Sequence, residues 1–166
     1  MTKTFITDKE LSEWKELMIE SAKKNFLEDG SLMPIALLYC QHKEHRIYGT
    51  QFTSDEEKNA FTSFLRQEMK EHDALAYMFI SEAWITKYDK DDKDGYKNPD
   101  GTYKRPSEDP KRVECIFISF ESKLTNEIIC IEIDRTDGIK LSNENRNGQS
   151  KLGRFHDMLK MPIVEN

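Results

Sequence analysis

Two segments of the chain carry the residue types that could perform chemistry or recognition. Glu82 and Trp84 end a long apolar run, and the segment from Pro106 to Glu114 leads into the next one. Carboxylates serve as general acids, general bases or metal ligands, whereas Trp and Arg are favoured at binding hot spots. If the two runs are neighbouring strands, these side chains meet at one end of a sheet. The candidate site comprises Glu82, Trp84, Ser107, Glu108, Asp109, Arg112 and Glu114.

The segment before Arg112 has a backbone stiffened by two prolines. Pro106 and Pro110 flank the sequence Ser-Glu-Asp. Because proline fixes its φ angle, such a loop presents side chains at low entropic cost.

Three interpretations of the candidate site stay open. Arg112 pairs with Glu82 or Glu114 and anchors the base of the loop, as exposed ion pairs often do. Alternatively, Trp84 and the stiff loop form a binding surface. The third interpretation is acid–base or metal-assisted hydrolysis by the four carboxylates, which requires a pKa that burial has raised.

The motifs that mark common enzyme classes do not occur. The sequence has no P-loop, no glycine-rich dinucleotide motif, no serine-hydrolase elbow and no HExxH zinc motif. His42 and His45 flank a predicted turn without a third ligand nearby, and the three cysteines lie in apolar runs without the close spacing of a zinc or redox pair. We predict no catalytic residue, no metal and no cofactor.

A calcium site is also excluded by spacing. Asp92, Asp94 and Gly95 fit part of a calcium loop, but the first and twelfth positions are then Lys90 and Gly101, where carboxylates are required. We predict that residues 87–110 form a polar insertion.

Composition limits the class of partner. The 166 residues include 25 Lys and Arg against 31 Asp and Glu, a net charge of −6. An acidic chain lacks the clustered cations that bind phosphate backbones, so we predict no nucleic-acid partner. No apolar stretch approaches the ~20 residues that span a bilayer, and the N-terminus has no apolar signal core. We predict a cytoplasmic protein with a protein partner and no membrane contact; homo-oligomer formation stays open.

Two helices and five strands are predicted from apolar spacing. The helices run from Asp8 to about Glu28 and from Asp55 to about Glu71, each preceded by the spacing of a capping box. The strands are Leu32–Cys40, Arg46–Phe52, Leu75–Ile85, Val113–Glu121 and Glu127–Asp134, and a short helix is predicted at Leu152–Lys160.

This order of elements indicates an α+β fold. The order α-β-β-α-β-β-β, plus a short C-terminal helix, predicts a mainly antiparallel five-stranded sheet with both helices packed on one face. We predict a single domain over residues 1–166.

Three motifs carry a resemblance to known proteins. They are Asp29-Gly30-Ser31-Leu32-Met33-Pro34, Ser81-Glu82-Ala83-Trp84 and Pro106-Ser107-Glu108-Asp109-Pro110-Lys111-Arg112-Val113-Glu114. In this order they resemble a group of small uncharacterised bacterial and phage proteins, over roughly Leu11 to Glu132. The group has no assigned activity and supplies no catalytic residue. The resemblance implies that the end of the third strand and the Pro-Ser-Glu-Asp-Pro segment are the places to look.

We therefore predict a small binding or accessory protein that acts through Trp84 and Pro106–Glu114. The alternatives are a metal-assisted hydrolase that uses the carboxylate cluster, and a structural component of a larger assembly, including one of phage type.

Overall fold

The computed structural model describes residues 6–49, 51–86, 97–102, 105–123 and 125–146. Two α-helices and six β-strands follow one another along these residues, so the predicted α+β class is confirmed. The elements are α1 (Asp8–Asp29), β1 (Ile35–Cys40), β2 (His45–Gly49), α2 (Asp55–Glu71), β3 (Ala74–Thr86), β4 (Arg112–Ser122), β5 (Asn126–Asp134) and β6 (Lys140–Asn145).

The first end of α1 is closed by the predicted capping box and the second end by a glycine. The Thr7 side chain accepts a hydrogen bond from the Glu10 N–H, and the Glu10 carboxylate accepts one from the Thr7 N–H, which is a complete capping box. At the other end Gly30 has a φ of 75°, a left-handed conformation that glycine adopts without a Cβ clash. The chain therefore leaves α1 in a fixed direction toward β1.

The cap of α2 is only partly the predicted one. The Ser54 hydroxyl accepts a hydrogen bond from the Glu57 N–H at 3.1 Å. However, the Glu57 carboxylate accepts from the N–H and hydroxyl of Thr53. The hydrogen bonds at the start of α2 thus extend over five residues, Thr53 to Glu57, whereas a capping box spans four.

The strands form one antiparallel sheet in the order β2-β1-β3-β4-β5-β6. The five predicted strands are present, and β6 is an additional strand at the edge. The sequence did not indicate β6 because five of its six residues are exposed and its composition is polar. The predicted helix Leu152–Lys160 lies outside the described residues, as do residues 87–96, 103 and 104 of the predicted insertion.

The prediction that both helices pack on one face of the sheet is wrong. Successive side chains of a strand point to opposite faces. In β1, Leu37 and Tyr39 join the buried cluster that contains α1, whereas Leu38 and Cys40 join the cluster that contains Leu65 of α2. The helices therefore cover opposite faces. This arrangement explains the nearly continuous apolar sequence of β1, because an interior strand that is covered on both faces needs apolar side chains on both.

Candidate functional site

Trp84 and Arg112 lie together at the end of the β3–β4 pair. The antiparallel register places Trp84 opposite Glu114 and Thr86 opposite Arg112. The Arg112 guanidinium carbon lies 4.8 Å from the centroid of the Trp84 ring. Over an aromatic face, a guanidinium is attracted by the negative side of the ring quadrupole. The indole nevertheless stays 44% exposed, so the stacked pair is open to a partner.

The segment before β4 holds Arg112 in this position. Pro106–Glu108 forms a single 3₁₀ turn, and Arg112 Nη1 donates a hydrogen bond of 2.7 Å to the Ser107 carbonyl in that turn. Asp109 is buried, with 4% of its surface exposed. Its carboxylate accepts from the Lys111 N–H at 2.9 Å, and its carbonyl accepts from the Arg112 N–H at 3.0 Å. Asp109 thus shapes the turn that starts β4, while Ser107 orients the guanidinium.

Glu82 connects the sheet to the segment that follows α1. Ile80, Glu82 and Trp84 alternate along β3, so they share the face that carries α1. Glu82 Oε1 accepts a hydrogen bond of 3.1 Å from the Leu32 N–H. This bond ties the link between α1 and β1 to the sheet beside Trp84.

Glu114 forms its ion pair with Arg135, which is not among the predicted site residues. Arg135 Nε and Nη2 each donate to the Glu114 carboxylate at 2.8 Å. The same guanidinium donates to the Gly30 carbonyl at 3.4 Å and lies 5.6 Å from the Phe26 ring centroid. The hydrogen bonds from Arg135 hold the pKa of the Glu114 carboxyl below its ordinary value. The first interpretation has Arg112 paired with Glu82 or Glu114. In the structure Glu114 pairs with Arg135 instead, and Glu82 accepts a hydrogen bond from the Leu32 N–H.

Hairpin geometry could have identified Arg135. The β4–β5 register pairs Cys115 with Glu132. Extending that register by three residues brings Arg135 beside Arg112 and one diagonal from Glu114. The signal was the short turn between two strands, whose length sets which residues meet at the far end of the hairpin.

The predicted site residues therefore play different parts. Arg112 contacts both the Trp84 ring and the Ser107 carbonyl, and Trp84 and Arg112 form an exposed stacked pair. Glu82 and Asp109 accept hydrogen bonds from backbone N–H groups, and Glu114 pairs with Arg135. The Glu108 side chain is exposed on the 3₁₀ turn. The arrangement is suited to contact with another molecule through Trp84 and Arg112.

The described residues contain one group with the spacing of a metal site, and it lies elsewhere. Ligand atoms of Glu68, Glu71 and His72, at the end of α2, lie within 4.8 Å of one another. Glu68 already accepts a 2.5 Å hydrogen bond from the Tyr48 hydroxyl and lies 3.5 Å from His72 Nε2. These contacts join the end of α2 to β2, which is a structural role. None of the candidate-site carboxylates belongs to this group.

Together these features define an α+β protein with an exposed Trp–Arg pair at one end of an antiparallel sheet. The family model described as bacteriophage lambda protein ea47 matches residues 3–154, so the chain belongs to that family. The expected resemblance to a phage-type group is thereby confirmed. Comparison with curated proteins and with solved structures gave no match. No described helix has both the length and the apolar character needed to cross a membrane.

Proposed function

We propose that this member of a phage protein family is a binding or accessory protein, and that it docks a protein partner through Trp84 and the Pro106–Glu114 segment. The observation that carries the proposal is the Arg112–Trp84 stack, which is exposed and already ordered before any partner arrives. Trp and Arg are, with Tyr, the residues enriched at binding hot spots. Pre-ordering also lowers the entropy lost when a partner binds.

The chemistry of the pair indicates what the partner presents. The Trp84 indole offers an apolar plane, so the partner contributes an apolar or aromatic side chain there. A guanidinium carries five N–H donors, more than the bond to Ser107 uses. We expect a partner carboxylate on Arg112, since arginine recognises that group in a bidentate geometry.

The metal-assisted hydrolase receives less support from the same geometry. A general acid needs a raised pKa near neutral pH, whereas the pKa of Glu114 is lowered by Arg135. Glu82 and Asp109 are engaged in holding backbone amides. Thermal unfolding with and without Mg²⁺, Mn²⁺ and Zn²⁺ tests this alternative, because an ion that binds the native state raises its melting temperature.

The docking proposal is tested by affinity capture from a phage-infected bacterial lysate, followed by reconstitution with the purified captured protein. The baits are the wild type, Trp84→Ala and Phe64→Ala. Phe64 is the matched control because its exposure, 45%, is nearly that of Trp84, and it lies on α2. We expect a protein that the wild type and Phe64→Ala capture and Trp84→Ala does not. Equal capture by all three baits would contradict the proposal.

A second candidate, a component of a larger assembly, is favoured by one observation on β2. This strand lies at the edge of the sheet with β1 as its one neighbour among the described strands, and its Ile47 is 70% exposed. An open edge strand is a template for pairing with another chain. Light scattering on the wild type and on Ile47→Lys distinguishes the assembly function from the docking function. Assembly of the wild type that is lost in Ile47→Lys would favour the assembly function, whereas monomers for both proteins would remove it.

A further inference from the structure

Cys115 and Cys130 form a pair of neighbouring thiols that the proposed docking function does not use. They lie on adjacent antiparallel strands, where Cys115 is opposite Glu132 and Cys130 is opposite Phe117. The two cysteines are therefore diagonal neighbours across the β4–β5 pair. Cys130 raises the pKa of the Cys115 thiol and Cys115 lowers the pKa of the Cys130 thiol, which agrees with two side chains in close proximity.

Both thiols point to the face of the sheet opposite α1. In β4, Ile116 and Ile118 belong to the cluster under α1, and Cys115 alternates with them; Ile129 and Ile131 alternate in the same way with Cys130. The fully buried strand residues of the cluster that contains α2 come from β1 and β3. The thiol pair thus lies beside the part of the face that α2 covers.

The surroundings of the pair give it access on one side. Cys115 is fully buried, whereas Cys130 is partly exposed. On β3, the small residue Ala83 is opposite Cys115. A reagent can therefore meet Cys130 first and reach Cys115 through its contact with the first sulfur.

We propose that Cys115 and Cys130 form a two-sulfur site that captures a thiophilic ion through both thiolates, as a small dithiol captures trivalent arsenic. Soft thiolate ligands select soft ions. Structural zinc takes four protein ligands, so two sulfurs suit an acceptor of two bonds better than zinc. A diagonal pair also suits this role better than a disulfide, because diagonal Cα atoms lie about 7–8 Å apart while disulfides need less than about 7 Å.

The probe is phenylarsine oxide, and its reaction needs no oxidant. Each thiol forms one As–S bond, the As–O bonds break, and the oxygen leaves as water with the two thiol protons. Arsenic stays trivalent throughout. Two intramolecular bonds should hold the arsenical about 10²–10⁴-fold more tightly than one, because the second sulfur reacts at a high effective concentration.

The chain supplies a matched control in its third cysteine. Cys40 is fully buried like Cys115, but it lies on β1, which β3 separates from β4 in the sheet. The native wild type, Cys40→Ala, Cys115→Ala and Cys130→Ala are treated with one equivalent of the arsenical and then with excess monothiol or excess dithiol. Intact mass and a count of free thiols after unfolding report what remains bound.

We expect the wild type and Cys40→Ala to lose two free thiols and to retain the arsenical in monothiol but release it to dithiol. Cys115→Ala and Cys130→Ala should release it to monothiol. Cys130→Ser, at the partly exposed position, repeats the test in a variant closer in shape to cysteine than alanine is, and circular dichroism verifies the fold. The proposal would be overturned if either Cys130 variant retained the arsenical in monothiol, if Cys40→Ala lost it, or if the wild type failed to retain it.

Discussion

The guanidinium of Arg112 lies over the indole of Trp84, 4.8 Å from the ring centroid, while its Nη1 donates to the Ser107 carbonyl. Arg112 is thus held from two directions, by a ring on β3 and by the turn that precedes β4. The contact joins the two segments that the sequence marked as a candidate site. It also gives an exposed tryptophan a fixed charged neighbour, which is the basis of the docking proposal.

Replacement of Arg112 by lysine should weaken partner binding, although the charge is retained. Lysine is a point charge on a flexible chain and can neither stack as a plane nor bind a carboxylate in a bidentate way. We expect Arg112→Lys to bind the captured partner about 10-fold more weakly and Arg112→Ala at least as weakly. Calorimetric titration measures both. Wild-type affinity in Arg112→Lys would show that only charge matters at this position.

The Glu114–Arg135 pair should give the fold a pH-dependent contribution. Arg135 lowers the pKa of Glu114 in the folded chain below its value in the unfolded chain. Such a group stabilises the fold above the unfolded pKa, and the contribution is lost as the pH falls through the folded pKa. We expect Glu114→Gln to lower the melting temperature near pH 7 and to have a progressively smaller effect as the pH falls below the ordinary glutamate pKa of about 4.3.

The pH comparison is made on the difference between variants, because other carboxyls also titrate. Arg135→Gln serves as the partner variant, and the double variant completes the cycle. A melting-temperature difference between wild type and Glu114→Gln that stays constant over the whole pH range would contradict the assignment of this pair.

Because the two helices cover opposite faces of the sheet, the protein has two separate hydrophobic clusters. Phe26 of α1 and Leu65 of α2 are both fully buried, in different clusters. We expect Phe26→Ala to reduce the free energy of unfolding by about 3–5 kcal/mol and Leu65→Ala by about 2–5 kcal/mol. Chemical denaturation measures both. A negligible effect of Leu65→Ala would contradict the packing of α2 against the second face.

Much of the local structure could be predicted from the sequence because it depends on neighbouring residues. The capping box of α1 and the five predicted strands rest on spacing within a few positions. Tertiary relations were harder. The apolar run of β1 was compatible with two covered faces, yet the order of elements alone does not say which helix covers which face. The polar strand β6 forms because it pairs with β5, which no local pattern shows.

In the candidate site too, contacts between neighbouring strands could be predicted, whereas contacts that depend on the whole fold could not. The meeting of Trp84 with Arg112 rested on one assumption, that two neighbouring strands pair, and this assumption is confirmed by the β3–β4 register. The partner of Glu114 depended on the β4–β5 register and on the end of α1, so Arg135 was missed. Side-chain partners that lie on three different elements require the assembled fold.

The most direct test of the docking account is the affinity of Trp84→Ala for the captured partner, measured beside Phe64→Ala. Removal of a central hot-spot side chain costs about 2 kcal/mol or more, which is about a 30-fold rise in Kd. We predict that rise for Trp84→Ala, with Phe64→Ala within about 2-fold of the wild type and all three proteins equally folded by circular dichroism. An unchanged Kd for folded Trp84→Ala would contradict it.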